Sequence, residues 1–213
     1  MKKQLKSLKQ VVDVLNKYNI HFWMYGGVLA SYVKIHDLFP WDEDVDLFIW
    51  KEDFEKLIDI KDKFGLDYIF KEYTLALKGD GDDLDIDIMY FEKDDGTAFF
   101  ERLRTKNKIG RILYFGILSR SIKYRLLTVT KIVRFIAVSL GGCGIVRQEV
   151  PIHFFKELKE IDLFGIKLKV PRDHEAFMDY TYGPYWRLPL DQQEKRYIRE
   201  GKCHPDYFQV IKK

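Results

Sequence analysis

The chain has 213 residues, 46% of them hydrophobic and 15% aromatic, enough to bury one substantial core in a single domain spanning residues 1–213. Its two cysteines, Cys143 and Cys203, stand far apart with no His or Cys at ligand spacing, which excludes a zinc knuckle and a disulfide framework and points to an intracellular protein. The formal net charge of +3 conceals a segregation: acids dominate from Pro40 to Phe100, whereas Arg102 to Gln148 holds no Asp or Glu.

The basic start of the chain carries Leu5, Leu8, Val12 and Leu15 at helical spacing, which predicts an amphipathic helix rather than an export signal. Residues 21–25, short and aromatic, read as a buried strand running into a tight turn at Gly26 and Gly27, with a helix beginning at Val28. A loop over 37–43 leads to a strand at 45–50. Residues 52–64 repeat their apolar positions as a helix that Gly65 stops. Two strands, 67–70 and 73–78, precede a Gly/Asp turn at 79–83 and an alternating strand at 84–91.

This order predicts an α/β (α+β) fold in which a mixed sheet is flanked by helices. The last third predicts a hairpin over 160–170, a helix over 173–182 ended by Gly183, and a polar helix over 190–199. Residues 102–148 form a basic insertion. Over 114–140 a helical wheel sets Arg120, Lys123, Lys131 and Arg134 on one stripe and Leu118, Ile122, Leu126, Val129, Val133 and Ile136 opposite it. Such a helix suits an anionic membrane surface, or it packs its apolar side on the domain. No stretch of about 18 uncharged apolar residues exists, so no transmembrane helix is expected.

The chemistry lies in two alternating acidic strands. In Asp44-Val45-Asp46-Leu47 the period of two puts both carboxylates on one face, and Leu84-Asp85-Ile86-Asp87-Ile88 repeats the pattern. Aspartate is depleted from strands, so its recurrence at every second position asks for a reason. If the strands are neighbours, three of their carboxylates can surround one or two hard divalent cations, Mg²⁺ or Mn²⁺, whose preference for phosphate oxygens implies transfer at phosphorus. A glycine pair between strand and helix is most often a turn, but it also lets backbone N–H groups approach a phosphate.

Together, the strand, Gly-Gly, helix and Asp-hydrophobic-Asp strand resemble the nucleotidyltransferase superfamily. More narrowly, the run from Gly26 to Trp50, with Pro40-Trp41-Asp42-Glu43-Asp44-Val45-Asp46 at its centre, resembles the LicD family, which includes the fukutin and fukutin-related proteins. Residues 84–90 resemble that family's later acidic strand, and Asp162 to Pro189 its C-terminal motif. The family's first motif usually continues Gly-Thr-Leu-Leu-Gly, whereas this chain has Gly26-Gly27-Val28-Leu29-Ala30.

The resemblance implies a nucleotidyltransferase-like fold with extra helical elements at the C-terminus, and an enzyme moving a phospho-alcohol, such as phosphocholine or ribitol phosphate, from a CDP-alcohol donor to a glycan or lipid-linked glycan acceptor. Asp44, Asp46 and Asp87 would hold the metal and carry catalysis, with Gly26, Gly27, Asp42 and Arg187 at the substrate. Tyr182, Gly183 and Trp186 would either stack on a base or sugar or serve as helix cap and core. The implied location is cytoplasmic, with the insertion resting on the inner face of the membrane, and no nucleic-acid-binding motif is recognisable. Two other functions use the same residues: a nucleotidyltransferase that adds a nucleotide from a triphosphate and releases pyrophosphate, and an inactive binding module.

Overall fold

Strand β2 (Asp44–Trp50) shows why the sheet forms: Val45 and Leu47 are wholly buried while Asp44 and Asp46 point the other way. Strand β5 (Asp85–Asp94) repeats this with Ile86 and Ile88 buried. In the computed structural model, which describes residues 5–39, 42, 44–71, 73–118, 122 and 127–187, the two strands run parallel side by side, with Asp44 opposite Asp85 and Asp46 opposite Asp87. Apolar pairs alternate with acidic pairs across them, so one register both closes the core and gathers the carboxylates.

Strand β1 (Phe22–Met24) flanks β2 antiparallel, and β4 (Thr74–Leu77) and β3 (Tyr68–Phe70) continue the sheet beyond β5, giving the order β1-β2-β5-β4-β3. The far end of β5 pairs with β6 (Thr97–Thr105), which pairs along its whole length with β7 (Cys143–Pro151). Strands β8 (Leu158–Leu163) and β9 (Ile166–Pro171) form a separate hairpin. The mixed α/β sheet expected from the element order is therefore present, and β2 with β5 is its one parallel pair among the described residues.

Helix α1 (Lys6–Lys17) buries Leu8, Val11, Val12 and Leu15 against the sheet, the face its apolar spacing predicts. Helix α3 (Lys51–Asp59) lies over the apolar side of β5, with Phe54 4.7 Å from Tyr90, and a tight turn (Lys61–Phe64) ends at Gly65 in the left-handed region. Helix α2 (Gly26–Ile35) covers the acidic side. Beyond the carboxylates that side becomes an aromatic core in which Phe48 and Phe91 meet at 4.5 Å, joined by Tyr25, Phe100 and Phe177. Phe177 belongs to α6 (His174–Tyr182), which Asp173 caps by accepting from the Ala176 N–H at 3.2 Å.

The basic insertion differs from its expected form. Its ends, including Arg102, Arg104 and Arg147, are β6 and β7, where Glu101 faces Arg147 in register. Between them, α4 (Lys108–Arg111) runs on as a wider π-helical segment (Ile112–Leu118), and α5 (Leu127–Ser139) returns to β7. Leu103, Leu118, Val133, Ala137 and Cys143 form a second small core beneath these helices. Val129 and Ile136, which the wheel places with Val133 on the buried side, are exposed, whereas Arg134 is half-buried beside Glu101 at 3.4 Å. The inward face of α5 is set by Val133 and Ala137, because Gly110 and Gly142 approach so closely that a β-carbon on Gly110 would stand 1.7 Å from the Gly142 carbonyl oxygen.

Pro40, Trp41 and Glu43 of the acidic motif, Arg120, Lys123 and Leu126 of the wheel, Cys203 and the predicted 190–199 helix lie outside the described residues. Among those described, no helix is long and apolar enough to cross a membrane.

Candidate active site

The parallel pairing of β2 and β5 brings Asp46 beside Asp87, and Asp44 stands one side-chain repeat back on β2. One carboxylate oxygen from each of Asp44, Asp46 and Asp87 lies within 4.8 Å of the others. Mg²⁺ holds oxygen ligands at about 2.1 Å, which places ligands on opposite sides about 4.2 Å apart, so small side-chain adjustments would let all three reach one ion. The donor set is oxygen alone, suited to Mg²⁺ or Mn²⁺ and not to a thiolate-seeking metal.

The electrostatics ask for a cation. Burial, then the charges of Asp44 and Asp87, push the Asp46 carboxyl up from its ordinary 3.8 to about 8, and Lys71 only partly opposes them. Lys71, which sequence reasoning did not single out, bonds Asp87 at 2.7 Å. The signal for it was the β3–β4 hairpin beside β5, whose turn brings Lys71 to the acidic face. Lys78 likewise binds Asp85, which also accepts from the Gly79 N–H at 3.0 Å. Burial alone would raise the Asp85 carboxyl, but those two bonds outweigh it and hold it below the usual carboxylate range. Asp85 is held by Lys78 and the Gly79 N–H, and Asp87 is the β5 carboxylate whose oxygen lies within 4.8 Å of those of Asp44 and Asp46.

The glycine pair lies within the first turn of α2 rather than in a turn before it, as the sequence had suggested. Gly26 has φ +64°, and a β-carbon there would stand 2.3 Å from Asp46 Oδ2, so this position requires both the left-handed backbone and the missing side chain. A β-carbon on Gly27 would sit 3.3 Å from Asp42 Oδ1. The Tyr25 N–H donates to the Asp46 backbone carbonyl at 3.2 Å, fixing the start of α2 against β2. The positive end of α2 thus borders the acidic cluster, where it can favour a phosphate as well as the carboxylates.

The C-terminal candidates gather around Asp179. Arg187 binds the Asp179 carboxylate through both terminal nitrogens and stacks on Trp186, its guanidinium 4.4 Å from the ring centre. The Trp186 indole N–H also donates to Asp179, at 2.8 Å, and Lys34 of α2 donates to the Trp186 carbonyl at 2.9 Å. Arg187 and Trp186 thus lock the turn after α6 to the far end of α2, and Gly183 caps α6 with φ +61°.

The model of the family described as LicD/FKTN/FKRP, nucleotidyltransferase domain, matches residues 19–80, which hold β1, α2, β2 and the glycine pair. No curated protein matches the chain. Among solved structures, the chain is similar to ANT(2")-Ia in complex with adenylyl-2"-tobramycin, with 18% identity over 45% of this chain and 53% of that one, at a TM-score of 0.35. It thus spans about half the length of that protein. It is also similar to the lincosamide antibiotic adenylyltransferase LnuA, lincomycin-bound, with 12% identity over 91% of this chain and 98% of that one, at a TM-score of 0.42. At these scores neither likeness informs the reading of the site.

Proposed function

We propose, from the match of residues 19–80 to the LicD/FKTN/FKRP nucleotidyltransferase domain, that this protein is a metal-dependent transferase that moves a phospho-alcohol from a CDP-linked donor to a glycan hydroxyl. The observation that carries the reading is the convergence of Asp44, Asp46 and Asp87 within 4.8 Å beside the N-terminus of α2. The coarser statement, a transferase acting at phosphorus, has the family's domain behind it; the CDP donor and the glycan acceptor are the finer proposal.

A divalent ion held by the three aspartates would neutralise charge on the donor diphosphate. Asp44 and Asp46 share one face of β2, and the close approach of Gly26 to Asp46 limits where that carboxylate can go. Asp87, on the neighbouring strand, would complete the metal site and could accept the acceptor's proton. Lys71 bonds Asp87, and with a cation on that carboxylate its ammonium could meet a donor phosphate.

Ligand-induced thermal stabilisation tests the reading. A CDP-alcohol should raise the melting temperature only with Mg²⁺ present, because it binds the native state through the metal, and Asp46→Asn should abolish the shift. Stabilisation by nucleoside triphosphates alone, with pyrophosphate formed, would replace the proposal by nucleotidyl transfer.

A further inference from the structure

The small lobe built on β6 and β7 turns an apolar face outward. Ile112, Phe115, Ile132, Phe135, Ile136 and Leu140 are all exposed, Phe135 at 72% and Ile112 at 68%, while Leu118, Val133 and Ala137 fill the core on the inner side. Ile132 and Ile136 on α5 and Leu140 just past its end follow one another every four residues and form a stripe. Soluble surfaces scatter large apolar side chains singly, so a clustered face of this kind marks a surface with a partner.

The charges around the face say which partner. Not one Asp or Glu occurs between Arg102 and Gln148. A cleft of about 560 Å³ beside Phe115 is lined by Lys106, Lys108 and Arg111, all three exposed, and Lys131 is exposed on α5. A second copy of the chain would bring two acid-free rims together and repel. A nucleic acid would meet the cations but leave the aliphatic face in water. An anionic bilayer satisfies both halves, since acyl chains take the apolar side chains and headgroup phosphates take the cations.

We propose that this face docks on an anionic lipid bilayer, with α4 and α5 lying in the plane of the interface, Phe115 and Phe135 entering the acyl region, and Lys106, Lys108 and Arg111 on the headgroup phosphates. Helix α5 has 13 residues, too short to cross a bilayer, which needs about 20, so the lobe lies on the membrane rather than through it. Of the helical wheel's basic stripe, Lys131 belongs to this surface, whereas Arg134 is turned inward to Glu101. The inference is independent of the acidic site, because no residue of the face belongs to it.

Sedimentation of the full chain with vesicles tests the inference. Binding is expected to phosphatidylcholine vesicles containing phosphatidylglycerol and not to pure phosphatidylcholine, and it should fall as salt rises. The exposed-residue variants Phe115→Ser/Phe135→Ser and Lys108→Gln/Arg111→Gln should keep the wild-type circular dichroism and melting temperature, yet each should bind at least about tenfold more weakly. Asp46→Asn should bind vesicles as the wild type does, separating this test from that of the acidic site. Absence of binding at low salt, unchanged binding by the Phe115→Ser/Phe135→Ser variant, or a dimer in solution that this variant disperses would each overturn the proposal.

Discussion

Replacing Asp46 by Asn should stabilise the metal-free protein while destroying its response to metal. The Asp46 carboxyl titrates near 8 in the fold against an ordinary 3.8, so between those values the native state holds a proton that the unfolded chain has released. Folding then takes up a proton, and stability falls as pH rises, by about 1.4 kcal/mol per unit. Neutral pH lies about three units above the ordinary value, which sets a ceiling on the order of 4 kcal/mol, and partial access of water to the carboxylate lowers this to roughly 2 to 4 kcal/mol. Asn keeps the shape of the protonated acid without the charge. Urea denaturation in EDTA should therefore show equal stabilities near pH 4, a growing advantage for Asp46→Asn up to about pH 8, and a plateau above it. Mg²⁺ should stabilise the wild type and leave the variant unmoved. An advantage that does not change with pH, or a variant less stable than wild type at neutral pH, would refute the account of a site strained by its own negative charge.

Gly26→Ala should cost about 1 to 3 kcal/mol, from the positive φ and from the clash with Asp46 Oδ2, and should weaken Mn²⁺ binding measured by calorimetry because the carboxylate must move. Gly110→Ala, aimed at the Gly142 carbonyl, should loosen the small lobe, read as faster amide exchange in β6 and β7, with little change in metal affinity. Val45→Ala and Leu47→Ala remove wholly buried side chains from β2, and Leu47→Ala should lower the unfolding free energy by about 2 to 5 kcal/mol in denaturant titration. Asp87→Asn should slow turnover more than it weakens donor binding, since a proton acceptor acts chiefly in the transition state.

The two acidic strands were legible because a period of two leaves no other face for Asp44, Asp46, Asp85 and Asp87 once their apolar neighbours are buried. Which β5 aspartate joins the cluster was legible only through family resemblance. In the structure Lys78 and the Gly79 N–H claim Asp85, and those contacts depend on the turn bringing β4 back beside β5. Gly26 and Gly27 were read as a turn with room for phosphate; their closest neighbours prove to be Asp46 and Asp42, a crowding that no local pattern reveals.

Strands β6 and β7 were hidden by their charges. Glu101 and Arg147 sit opposite one another, and Arg147 also reaches Asp94 at 3.2 Å and Glu149, so charged positions that look like loop or helix in one strand are satisfied by the next. The helical wheel over 114–140 failed for a related reason. It set Val129, Val133 and Ile136 on one apolar side, to rest on a membrane or on the domain, whereas α5 packs on a small core of its own through Val133 and Ala137, and the close approach of Gly110 to Gly142 sets its position.

The central claim is transfer at phosphorus by the metal held on Asp44, Asp46 and Asp87. Phosphorus NMR of the protein incubated with a CDP-alcohol, Mg²⁺ and a glycan acceptor tests it most directly. The account predicts appearance of CMP and of a phosphodiester on the glycan, both abolished by EDTA and by Asp46→Asn. Turnover that survives in EDTA or in Asp46→Asn, or pyrophosphate release from a nucleoside triphosphate with the nucleotide left on the acceptor, would contradict it.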